Sequence, residues 1–415
     1  MTETPTLDLP LDPYRVLDLS DDTGFLCGRI LGDLGADVIK IEPPPGDPSR
    51  RHGPYYQDDV DEQKSLTWFA HNYNKRGVTL DLATADGRQL FERLVASAHF
   101  VVECFPPGHL DALGLGYEAL RRINPGLVMT SITPFGQTGP RRDYQADDLV
   151  AMAGGGLMYI SGDEDRPPVR VGVPQAAVLA GTQAAVGTML AHYGRVRTGH
   201  GRHLDVSVQA AVANALPNTA HLWFSDQEVQ RRGARHRYGG RVIRSSFPAK
   251  DGFVATQLFW GDGAGSRMQA LIDWMVDEGQ PPSFQHYDFN NASGATIAQE
   301  QVDGWQREMA EFFARFTKAE IYAEALKRRV FLFAVSSPAD TFSDLQLQDR
   351  DFFQDVEHPE LGATVRYPGA FCRFSETPVR IRRRAPLIGE HNVEVYEDLG
   401  YSRQQLVTLK EAGVI

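Results

Sequence analysis

The chain has 415 residues and a formal net charge of −12, enough length for two domains and a large buried core. That charge argues against a nucleic-acid binder, which needs a basic surface, but leaves room for a local basic patch facing a phosphorylated ligand. Three widely spaced cysteines (Cys27, Cys104, Cys372) make neither a disulfide frame nor a zinc site, so no metal is expected.

The N-terminal residues are acidic and lack an apolar signal core, so a cytoplasmic protein is expected. Residues 15–19 (R-V-L-D-L) read as a buried strand, and Ser20, Asp21 and Asp22 as a loop with capping residues. Residues 24–34 have helical spacing stopped by Gly35, and 36–41 (A-D-V-I-K-I) form a second strand. Strand, helix and strand at this length make a βαβ unit. Glu42 stands at the position of a ribose-binding acid, but the first loop reads S-D-D-T-G rather than G-x-G-x-x-G, so an NAD site is not expected.

Residues 43–63 are loop. Asn74, Lys75 and Arg76 stand just before an alternating strand, and two adjacent cations suit either an anionic ligand such as phosphate or a solvated turn. A helix over 85–96, a strand over 100–102, a helix over 110–123 and a strand over 127–132 follow. Strand and helix thus alternate for the first ~130 residues, the pattern of a parallel sheet covered on both faces. Asp147 and Asp148 open the next segment as candidate helix caps.

Residues 175–193 are small, apolar and uncharged, and read as a buried helix. Thr182, Gln183 and Thr188 argue against a membrane span. A strand over 204–208 and a helix over 209–224 come next. Residues 227–244 read as a basic, Gly-rich linker, 247–258 as a strand pair, and 259–267 as a loop. Helices are expected over 268–276, 300–316 and Lys318–Arg328, short strands over 330–335 and 352–374, and a last helix over 404–412. Trp223, Phe224, Phe259 and Trp260 fit an apolar pocket and a core equally well.

Taken together, several segments resemble one family. V-L-D-L-S, G-R-I-L-G-D-L-G-A-D-V-I-K-I-E-P-P, N-K-R-G-V-T-L-D-L, E-C-F-P-P-G, I-T-P-F-G-Q-T-G-P, R-T-G-H-G-R-H-L-D-V and A-P-L-I-G-E-H-N are similar, in order and over nearly the whole chain, to the class III CoA-transferases. That family includes formyl-CoA transferase, carnitine CoA-transferases, aryl- and alkylsuccinate CoA-transferases and α-methylacyl-CoA racemase. The resemblance implies an α/β protein. Residues 1–224 would form a Rossmann-like large domain, 225–329 a smaller α+β domain with linkers, and 330–415 a return to the large domain. It also implies an interlocked dimer, with itself or with a homologous sister subunit, and coenzyme A or acyl-CoA as substrate beside a carboxylic acid, with no permanently bound cofactor. Asp22, Thr23 and Gly24 match the loop that contacts CoA, Lys75 and Arg76 cationic positions near its phosphates, and Cys104 and Phe105 the pair beside adenine and pantetheine. Pro43 and Ala112 replace arginines of some members, which turns attention to Arg50, Arg51 or Arg141.

The main departure concerns the nucleophile. The family's transferases use one Asp in G-x-x-x-x-D-x-x-x-G, and here Ala177 occupies that position between Gly172 and Gly181. Ala can neither attack a thioester nor carry an acyl group. Racemases pair that Asp with a His in G-H-D, and here the segment is Ala146-Asp147-Asp148, so the racemase pattern is not met. Three readings stay open. The chain is the subunit without the nucleophile in a heteromeric enzyme of the aryl- or alkylsuccinate CoA-transferase type. Or it is a self-sufficient acyl-CoA transferase using another carboxylate, with Asp147 the catalytic candidate. Or it is a non-catalytic CoA-ester binding protein.

Overall fold

The computed structural model describes residues 9–163, 165–227, 229, 235–238 and 241–415. Its centre is a six-stranded parallel sheet built from β1 (Arg15–Leu19), β2 (Asp37–Glu42), β3 (Lys75–Thr79), β4 (Phe100–Glu103), β5 (Val128–Thr133) and β6 (His203–Ser207). The order is β3-β2-β1-β4-β5-β6. β1 to β5 are almost fully buried, because their apolar runs face helices on both sides.

The first crossover is α1 (Phe25–Asp33), which follows β1 after the loop Ser20–Gly24. α2 (Leu66–Asn72) precedes β3, and α3 (Ala85–Ser97), with Thr84 as its N-cap, precedes β4. The single helix expected over 110–123 is two, α4 (His109–Ala112) and α5 (Tyr117–Ile123), because Gly114 takes a left-handed φ of 76° between them. α6 (Asp148–Gly154), α7 (Ala176–Thr198) and α8 (Val208–Asn214) complete this layer. Pro217 starts a separate helix, Pro217–Asp226, where one continuous helix was expected.

α7 corrects a second expectation. It is not buried all round. Ala176, Ala180, Gly181 and Ala184 line its inner side, while Val186, Leu190, Tyr193 and Val196 are exposed. The small residues are there for close approach: a Cβ on Gly181 would stand 2.9 Å from the Cβ of Leu26 on α1.

By contacts the chain divides into two compact units. One holds residues up to Met158, Val171–Phe224 and Gln346–Ile415. The other holds Tyr159–Arg170 and Ser225–Leu345. In the first, the C-terminal residues pack on the sheet: Tyr396 Oη donates to the Thr79 carbonyl, and Trp68 Nε1 to that of Pro386. In the second, helices Ala264–Asp277, Gln299–Phe313 and Lys318–Arg328 close an aromatic core on the antiparallel strands Ser246–Ala249, Gly252–Ala255 and Phe333–Ala334. Phe259 and Trp260 belong to that core, whereas Trp223 and Phe224 are exposed. Arg235–Tyr238 and Arg241–Arg244 pair as strands inside the expected linker. Among the described residues, no helix is long and apolar enough to cross a membrane.

Candidate functional site

In a doubly wound sheet, a crevice forms at the carboxyl ends of the strands where the order reverses, here between β1 and β4. A cleft of about 550 Å³ lies there, walled by residues that follow β1 (Ser20, Asp21, Asp22), β2 (Pro43, Asp47, Ser49), β3 (Leu80–Ala83) and β4 (Cys104, Phe105, His109, Leu113).

The β1 turn is fixed from within. Asp18 Oδ1 accepts from the Ser20 N–H at 3.0 Å and from its hydroxyl, and Asp21 Oδ1 accepts from the Thr23 N–H at 3.0 Å. Gly24 then opens α1 against β4: a Cβ there would stand 2.5 Å from Cys104 Sγ and 2.8 Å from Ser20 Cβ. Only glycine lets this turn approach the end of β4 so closely. On the β4 side, the Phe105 and His109 rings stack at 4.8 Å and 26°, an apolar platform for a flat ring. Burial pushes the Cys104 thiol well above its usual range, and Asp21 and Glu103 push it further, so it remains a neutral thiol and not a nucleophile.

Lys40 is the one Lys or Arg on the wall among the described residues. Its Nζ donates to the Ser20 carbonyl and lies 3.2 Å from Asp47 Oδ2. Around it stand Asp21, Asp22, Glu42, Asp47 and Asp81.

The expected site residues therefore divide. Asp22, Cys104 and Phe105 line the cleft, with Asp22 Oδ2 3.1 Å from His52 Nδ1. Thr23 and Gly24 follow Asp22 in the chain but do not line the cleft themselves. Lys75 and Arg76 do not face it. They lie inside β3, and Lys75 Nζ spends its three protons on Asp18 Oδ2 (2.7 Å), the Phe25 carbonyl (3.0 Å) and Asn72 Oδ1 (2.9 Å), fully buried. Arg76 forks onto Asp37 and reaches Glu394 at 2.7 Å, at the opposite end of the sheet. Lys75 has no donor left for phosphate, and Arg76 is held by Asp37 and Glu394 away from the cleft, so neither cation stands where the resemblance would put a phosphate contact. Arg50 is likewise buried, on Glu42 and over the Trp68 ring at 3.6 Å, and Arg51 pairs with Glu62. Arg141 is exposed.

Asp147 lies away from the cleft wall and caps α6, its Oδ1 accepting from the Val150 N–H at 2.9 Å. Asp148 caps α7 instead: its Oδ1 accepts from the N–H groups of Gln175 (2.7 Å) and Ala176 (2.8 Å). Ala177 stands next in that first turn, half-buried, one turn before the Gly181 contact with α1. Sequence reasoning missed Lys40, His52, His109 and the clamp of Asp148 on α7. Only the K-I-E at the end of β2 signalled any of them.

The sequence matches the description of CoA-transferase family III over residues 11–392. It is 35% identical over 404 residues to the succinyl-CoA:(R)-benzylsuccinate CoA-transferase subunit BbsE of Thauera aromatica, covering 97% of each chain. It is 30% identical over 418 residues to the succinyl-CoA–L-malate CoA-transferase beta subunit of Chloroflexus aurantiacus, covering 99% of each. The fold matches the crystal structure of a CAIB/BAIF family protein from Brucella suis with a TM-score of 0.83 at 29% identity, covering 95% of this chain and 100% of that one.

Proposed function

The chain belongs to CoA-transferase family III, and from that premise we propose that it is the subunit without the nucleophile in a heteromeric CoA-transferase. The enzyme moves CoA from an acyl-CoA such as succinyl-CoA to a carboxylic acid of the aryl- or alkylsuccinate type, and a homologous sister chain supplies the Asp. One observation carries this reading: a methyl group, Ala177, stands in the first turn of α7, and both nearby carboxylates serve as helix caps. The relatives named as subunits support the heteromer, and 35% identity to BbsE supports the acceptor class.

The chemistry needs a carboxylate that attacks a thioester carbonyl, expels CoA thiolate and then carries CoA as an enzyme thioester. It divides one hard transfer into easier steps, and no hydrocarbon side chain can take that part. This chain's share is the cleft. The turn Asp22–Gly24 and the Cys104–Phe105 wall hold the CoA moiety, with adenine against Phe105 and His109. Asp147 is a weaker alternative nucleophile, because one of its oxygens caps α6 and the residue does not line the cleft.

The purified chain should transfer no CoA by itself, and activity should appear when the sister chain is added. Native mass spectrometry of the protein from its host should show a second chain of similar mass carrying the Asp. Full turnover by a homodimer would overturn the proposal, and loss of that turnover in Asp147→Asn would then identify the alternative.

A further inference from the structure

Glu103 ends β4 immediately behind the cleft wall and is almost fully buried. Its Oε2 accepts from the Phe105 N–H at 2.7 Å, which fixes the backbone of the ring that walls the cleft. Ser131, its register partner on the next strand and also buried, stands beside the same carboxyl group and favours its ionised form. Ser131 Oγ lies 2.8 Å from His203 Nε2, one strand further on. Glu103 pairs with Ser131 across β4 and β5, and His203 is the diagonal neighbour of Ser131 on β6, pairing with Met129 two residues earlier. β6 is the edge of the sheet, and His203 is exposed there, stacked on Tyr117 at 5.4 Å. A row of neighbouring polar side chains thus crosses three strands from the cleft wall to solvent.

We propose that Glu103 is a positioning residue for the Phe105 wall, and that anion binding in the cleft is coupled to uptake of a proton by Glu103 through Ser131 and His203. This rests on the reading of the cleft as the CoA site. The row can run in either sense. With Glu103 ionised, the Ser131 O–H donates to it and Ser131 Oγ accepts from His203 Nε2–H. With Glu103 protonated, its O–H donates to Ser131 Oγ and the Ser131 O–H donates to His203 Nε2. The net change is one proton moved from solvent to Glu103 and one tautomer shift at His203.

The surroundings set the direction. The charged groups that face Glu103 are Asp21, from the β1 turn, and Asp111, from α4. Those that face His203 are Asp205, Asp111 and Glu118. All are anionic, and burial, the largest cause, raises Glu103 to about 7. CoA phosphates would add negative charge to a cleft whose one lysine is already engaged, and protonating Glu103 removes one charge from behind its wall.

Calorimetric titration of the full chain with free CoA at pH 7, in buffers of different ionisation enthalpy, measures the proton count directly. We expect wild type to take up about 0.4 proton per CoA at pH 7, since Glu103 is already about half protonated there, with affinity about fivefold weaker at pH 8 than at pH 6. Glu103→Gln keeps an acceptor for Phe105 and a donor for Ser131, and should bind CoA with no uptake and no pH dependence. Ser131→Ala removes a hydrogen bond that lowers the Glu103 pKa, and should shift the uptake maximum to higher pH. A purely structural Glu103 would leave the proton count unmoved. CoA binding without uptake, or with equal uptake by Glu103→Gln, overturns this inference and leaves the CoA site standing. Failure of CoA to bind at any pH overturns the CoA site itself, and this inference with it.

Discussion

Lys75→Met should destabilise the chain by about 3–5 kcal/mol, because it leaves the Asp18 carboxylate buried without its cation. Burial alone would raise the Asp18 pKa, and Lys75 with Lys40 pulls it below its usual value. Lys75 itself sits below its usual value, because burial outweighs the pull of Asp18. Neither charge has solvent to fall back on: both side chains are 0% exposed. Asp18 also anchors Ser20, so the same substitution should loosen the turn that walls the cleft. Denaturant midpoints compared with wild type measure the effect. The double variant Asp18→Asn/Lys75→Met should recover part of the loss, since it removes both charges together. A single-variant cost below about 1 kcal/mol, the range of an exposed pair, would contradict the account.

Arg50→Ala is expected to cost a similar ~3–5 kcal/mol. Its guanidinium forks onto both oxygens of Glu42 at 2.6 and 2.8 Å, donates to the Pro386 carbonyl at 2.9 Å and stacks on Trp68. The fork thereby links the end of β2 to the C-terminal part of the chain. Arg50→Lys should recover little, because a single ammonium can neither fork nor stack. Thermal unfolding would show this as a large drop for both variants. Equal stability of Arg50→Lys and wild type would show that the planar fork is not what the fold uses.

These two residues also show where sequence reading stops. The βαβ opening was legible because apolar runs and a glycine stop are local signals; β1 occupies the very residues expected, and β2 begins within a residue. The cleft was half legible for the same reason: the S-D-D-T-G turn and E-C-F-P-P-G each follow a strand that could be read. The sequence leaves Lys75 and Arg76 open between a ligand contact and a solvated turn, and Arg50 as one of three alternative cations, because a charge inside a short window has no visible partner. Most of these partners lie far off in sequence: Asp18 is 57 positions from Lys75, Glu394 is 318 from Arg76 and Pro386 is 336 from Arg50, although Glu42 is only 8 from Arg50. The exposed outer face of α7 was hidden because Ala and Gly, read for composition, suggest burial all round, whereas only the side against α1 needs them small. Glu103 gave no signal, since its role depends on two neighbouring strands.

The lone, already engaged lysine of the cleft bears on how a ligand arrives. CoA is a multiply charged anion approaching a chain of net charge −12, towards a wall rich in carboxylates. Among the described residues nothing on that wall steers it in, so association should be slower than for a ligand drawn in by opposite charge. Added salt should quicken association here, because screening weakens a repulsion instead of an attraction. Stopped-flow association at rising ionic strength would register that inverted slope, the reverse of the one a cation-lined nucleotide pocket gives.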